Sequence, residues 1–135
     1  GGGGSGEDAQ AEASVMTAIN GKRPAAAKLD NDAERKAVAS QNIDYVVKHG
    51  FGPFSSDVRF NVDTDHIKDG KFGFTFVAKY DYENTKLDDL IKKITNGNGT
   101  NIKSNHVDNW TNVGVVVKTV NGQTYIAVSV AIDVS

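Results

Sequence analysis

Cysteine is missing from this 135-residue chain. Disulfides, thiolate zinc sites and cysteine nucleophiles are excluded together, and so is the small secreted domain that depends on disulfides for stability. An excess of charge of one sign is also lacking: Lys and Arg number 15 against 17 Asp and Glu, a formal net charge of −2. The basic residues are scattered, without a stripe or interleaved aromatics, which argues against nucleic acid as a partner. No apolar run approaches the ~18 residues of a membrane span, so the chain reads as not transmembrane. The basic start, apolar stretch and small-residue cleavage site of a signal peptide are not seen in it. Catalytic signatures are scarce: there is no G-x-S-x-G elbow, no P-loop and no H-E-x-x-H pair.

The length suits one domain with a real core. Residues 1–6, "GGGGSG", read as a flexible linker or a cloning scar, which leaves residues 7–135 as a single domain without internal repeats. "EDAQAEASVMTAI" from Glu7 to Ile19 predicts a helix with Val15, Met16 and Ile19 as its apolar stripe, stopped by Asn20-Gly21 in the left-handed position. A second helix is expected from about Asp30, capped by Asp30 or Asn31 and ended at Gly50. Its packing face is expected along Ala33, Ala37, Ser40, Asn42, Ile43, Val46 and Val47.

Residues 51–70 carry few signals. "DVRFNV" alternates weakly, and Gly52-Pro53 and Asp69-Gly70 mark turns, so this stretch reads as a surface connection with one short strand. "KFGFTFVAKY" is a strand with Phe72, Phe74 and Phe76 on one face. "TKLDDLIKKIT" returns to helical spacing, with Thr85 as its cap. "VGVVVKTV" and "TYIAVSVAIDV" flank Asn121-Gly122, a strong hairpin signal. The order helix, helix, strand, helix, strand, strand predicts an α+β layered domain with a three-stranded antiparallel sheet.

The "DTDHIKDG" stretch invites comparison with a calcium loop. Counted from Asp63, however, Lys68 stands where the loop needs glycine and Phe74 where it needs glutamate. The remaining constellation is Glu83, at the end of the Phe-rich strand, with His106 in the polar loop that feeds the next strand, and His66 or His49 as a third member. A carboxylate beside an imidazole can bind a divalent metal, position a water or form a plain hydrogen-bonded pair. The structural pair is the simpler expectation.

Taken in order, these motifs resemble the CAP superfamily (cysteine-rich secretory, antigen 5 and pathogenesis-related proteins), in particular its short bacterial SCP-like extracellular domains. "AIN" before "GKRP" resembles the family's Asn-x-x-Arg element at Asn20 and Arg23. "KLDNDAERKAVASQNIDYVVKHG" resembles its second helix, "YDYEN" its Gly-Glu-Asn at Glu83 and Asn84, and "SNHVDNWTNVGVVVKTV" its closing Ser-x-x-His and Val-Gly-Val. The separation of Glu83 and His106, 106 − 83 = 23 residues, is close to the family's. Phe54 or Ser55 stands where the family places its first histidine, and Tyr82 replaces its glycine.

The resemblance implies an α-β-α sandwich with a three-stranded antiparallel central sheet. It also implies a secreted or cell-surface location and a candidate cleft of Glu83, Asn84, His106 and His66. With the family's two-histidine, two-acid set incomplete, the expected function is non-enzymatic: a monomer that binds a lipid-like ligand or a surface protein partner. No cofactor is expected, beyond a weakly held divalent metal such as zinc on His66, Glu83 and His106. The alternatives are a metal-assisted hydrolase using that trio and an adhesive module of a larger surface protein.

Overall fold

In a computed structural model the structure describes residues 6–21, 28–52, 58–63, 71–80 and 110–133. The chain opens with a two-residue strand, β1 (Gly6–Glu7), followed by helix α1 (Ala9–Asn20) and helix α2 (Ala33–His49). Strands β2 (Val58–Asp63), β3 (Lys71–Lys79), β4 (Trp110–Val120) and β5 (Gln123–Asp133) follow. They form one sheet in the order β1-β4-β5-β3-β2, every pair antiparallel.

The expected α-β-α sandwich of CAP type on a three-stranded sheet is therefore not the fold observed. The sheet has five strands, and more of the described chain is strand than helix. Two edges account for the difference. The weakly alternating "VRFNVD" pairs with β3 along its whole length, from Val58↔Ala78 to Asp63↔Gly73. At the other edge, Gly6 and Glu7 pair with Thr119 and Lys118. β2 is the short strand expected in this stretch, paired with the next strand in sequence, whereas β1 has little local signal and is made by a partner distant in sequence.

The local signals account for much of the rest. Asp8 caps α1, its Oδ1 accepting from the Ala11 amide at 3.0 Å. The helix ends at Gly21 without a left-handed residue, since Gly21 has φ −62°. Helix α2 is capped by Asp32, not by Asp30 or Asn31, through its bond from the Arg35 amide at 3.0 Å. Gly50 closes α2 with φ +83°, a conformation glycine adopts without strain. Asn121 and Gly122 both take positive φ, 52° and 83°, which is the turn a two-residue hairpin requires.

Side chains alternate across the strands, so the sheet has two unlike faces. One carries Phe74, Phe76, Val113, Val115, Val117, Ile126, Val128, Val130 and Ile132, packed with Val15, Met16 and Ile19 of α1. Phe60 joins it from β2, its ring 5.0 Å from that of Phe76 and nearly edge-on. The opposite face is built of smaller groups, Val77, Val116 and Ala127, against Ala39, Ile43 and Val46 of α2. The buried stripe of α2 is Arg35, Val38, Ala39, Asn42, Ile43 and Val46. Ala33, Ala37 and Val47, expected in it, are exposed. The helix is rotated from that expectation because its first turn presses against Gly114, whose missing side chain lets the two backbones meet.

Candidate binding groove

The four residues of the expected cleft, Glu83, Asn84, His106 and His66, lie outside the described residues, as do Arg23, Phe54, Ser55 and the helix expected from Thr85. His49 is described: it ends α2 on the surface, with its ring 4.6 Å from Tyr45. The Arg59 guanidinium also lies over the Tyr45 ring, 4.3 Å from its centre. Among the described residues no three His, Asp or Glu side chains gather to hold a metal. Among them, too, no helix is long and apolar enough to cross a membrane.

The structure places an open cavity of about 560 Å³ elsewhere, between α1 and residues 28–31. Ala9, Glu12, Ala13, Met16, Thr17 and Asn20 form its helical wall, at the spacing of one helix face. Lys28, Leu29, Asp30 and Asn31 form the other. Two asparagines set that second wall. The Asn20 amide brackets Leu29, donating to its carbonyl at 2.8 Å and accepting from its N–H at 2.9 Å. Asn31 brackets Val115 in the same way, donating at 3.1 Å and accepting at 2.8 Å. Each amide stands in for a strand's peptide group, satisfying both backbone groups of its target.

Glu12 sits in the helical wall and is only 2% exposed. Its Oε2 accepts from the Val117 amide at 3.0 Å. Its Oε1 lies 3.3 Å from Lys36 Nζ, which also donates to Glu7 Oε2 at 2.8 Å. Burial, and then the hydrogen bond with Glu7, push the Glu12 carboxyl up to about 6. The bonds to Lys36 and Glu12 draw Glu7 below its usual value, and the bond to Glu7 raises Lys36.

Under α2 lies a second buried polar cluster. Arg35 Nη2 donates to Ser129 Oγ at 2.6 Å and to the Val130 carbonyl at 3.4 Å. Thr75 Oγ1 also donates to Ser129 Oγ, at 2.9 Å. Ser129 thus meets a guanidinium and a hydroxyl, neither of which is a base, so this cluster anchors α2 to the sheet and does not arm a nucleophile.

Sequence reasoning missed Glu12 and Arg35, although both carry a signal. Glu12, Val15, Met16 and Ile19 follow i, i+3, i+4, i+7, and Arg35 heads the series Val38, Ala39, Asn42 and Ile43 at the same spacing. A charged residue in line with a buried stripe must find partners inside. Comparison with known protein families, with curated proteins and with solved structures finds no match to the chain.

Proposed function

We propose that this is a binding domain without catalysis of its own, which takes an extended, lipid-like ligand along the groove beside α1 in a secreted or cell-surface setting. The groove carries the proposal. Ala9, Ala13, Met16 and Leu29 offer an apolar strip, while Thr17, Asn20, Lys28, Asp30 and Asn31 line it with polar groups, the mixture that suits a ligand with a tail and a head. The paired asparagine brackets hold both walls without a ligand, so little ordering has to accompany binding. The motif resemblance to CAP sequences supports the same class of ligand and the extracellular setting. Kinship with that superfamily is part of the proposal; the three-stranded sandwich is not.

The test is a titration of the ¹⁵N-labelled full chain with laurate, and separately with decylamine, followed by amide shifts. Saturable shifts should fall on α1 from Ala9 to Asn20 and on Lys28–Asn31. They should weaken at least about tenfold in Ala13→Trp, which fills the groove from an exposed position. Shifts that are absent, or that survive Ala13→Trp, refute ligand binding in this groove and leave an adhesive module as the better account.

A further inference from the structure

We propose that Glu7, Glu12 and Lys36 form an acid-strengthened clasp that ties strand β1 to β4 and loosens toward neutral pH. On its own β1 is a weak strand. It pairs at two positions, Gly6↔Thr119 and Glu7↔Lys118, continued by one bond from the Asp8 amide to the Val117 carbonyl at 2.7 Å. Two residues of ladder cannot hold a strand against its conformational entropy. The side chains supply the rest. Lys36, reaching from α2, joins Glu7 of β1 at 2.8 Å to Glu12 of α1 at 3.3 Å, and Glu12 takes the Val117 amide at the point where the ladder ends.

Among the described residues, the charges around this cluster leave it one cation short. Asp8 spends its carboxylate on the Ala11 amide, and Tyr80, whose hydroxyl is raised by burial and by the Asp8 charge, brings no positive group. Lys118, on β4, is within electrostatic reach of Glu7 but is paired with Asp44 at 2.9 Å. Lys28 and Asp30, of opposite sign, share the groove rim. With both glutamates ionised, two carboxylates compete for the Lys36 ammonium in a partly buried place. With Glu12 protonated, its O–H donates to Glu7, its other oxygen still accepts from Val117, and Lys36 balances Glu7.

The sign follows from the two shifts. Glu12 is raised from 4.5 to about 6, so its contribution to the clasp is complete below 4.5 and lost as pH rises through about 6. Glu7 is lowered, so its contribution is present above 4.5 and lost only in stronger acid. The clasp is therefore tightest in mild acid. With the Glu12 carboxyl at about 6 in the fold against 4.5 unfolded, the loosening is at most roughly 30-fold over the whole titration and roughly 16-fold between pH 4.5 and pH 7.5.

Amide hydrogen exchange on the full chain reads this directly. The Asp8 and Val117 amides donate the two bonds at stake. After correction for intrinsic rates, their protection should fall several-fold, by roughly 8-fold at most, from pH 5 to pH 7.5. The amides of Ile126 and Val128, in the sheet centre, should hold steady. In Glu12→Gln, whose amide can donate to Glu7 and accept from Val117 without titrating, protection should stay near the acid value at both pH values. A flat wild-type profile, a parallel loss at Ile126 and Val128, or the same pH dependence in Glu12→Gln would each overturn the clasp.

Discussion

Replacing Gly114 with alanine tests how tightly α2 is seated on the sheet. A Cβ at this position would run into the Lys36 nitrogen and the Arg35 carbonyl carbon, and would lie 2.7 Å from Arg35 Cβ. The first two are backbone atoms, so no rotamer change relieves the clash; the first turn of α2 must lift by about 1 Å to regain ordinary contact. That turn is held from below. The Asp32 amide donates to the Val113 carbonyl at 2.8 Å, and Arg35 reaches Ser129 at 2.6 Å. Overfilling a packed interface costs about 1–3 kcal/mol, and weakening those two bonds adds about 1 kcal/mol each. The expected loss is about 3–5 kcal/mol, a large part of the stability of an ordinary domain. Urea denaturation followed by circular dichroism should show it, as should a melting temperature lower by roughly 10–20 °C. A loss below about 1 kcal/mol would mean that α2 does not rest on β4 at Gly114, and the reasoning would fail with it.

Three further substitutions probe the tie between Asn31 and β4 and the hairpin turn. Asn31→Ala removes both hydrogen bonds to Val115 and should cost about 2–3 kcal/mol in chemical denaturation. Asn31→Asp should cost a similar amount at neutral pH, because its carboxylate cannot donate to the Val115 carbonyl. Gly122→Ala, at φ +83°, should cost about 1 kcal/mol in the same assay while leaving the groove titration unchanged.

Where the determinants were local, the sequence was legible. Gly50 ends α2, Asn121-Gly122 makes the hairpin, and the alternating phenylalanines put Phe74 and Phe76 into the core. Each of these follows from backbone conformation or a short period within a few residues. What was not legible depends on partners far along the chain. Asn31 looks like a helix cap until β4 claims its side chain, leaving the cap to Asp32. Gly6 looks like linker and Glu7 like the start of a helix until Thr119 and Lys118 pair with them. The short strand expected in "DVRFNV" is β2, and its pairing with β3, together with β1, makes the count of strands that the three-stranded expectation missed. As for the site, Glu83, Asn84, His66 and His106 lie outside the described residues. The groove beside α1 was not legible because its second wall is held by side-chain amides, which leave no periodic trace in sequence.

The ties that fasten the first part of the chain to β4 have a consequence for the order in which the molecule takes shape. Asn31 meets Val115 across 84 residues, and Glu12 meets Val117 across 105. During synthesis α1 and α2 therefore emerge long before the strand that receives them. At 12 residues α1 is marginal in water on length alone, and α2, at 17, draws most of its stability from the face it packs on the sheet. The β4–β5 hairpin, made after them, closes through a two-residue turn within microseconds, whereas the helices must wait for the closure of long loops. The fold is thus completed backward: the later strands provide the template onto which the earlier helices are laid. A nascent chain halted before Trp110 has both helical segments but lacks β4, the strand on which α1 packs.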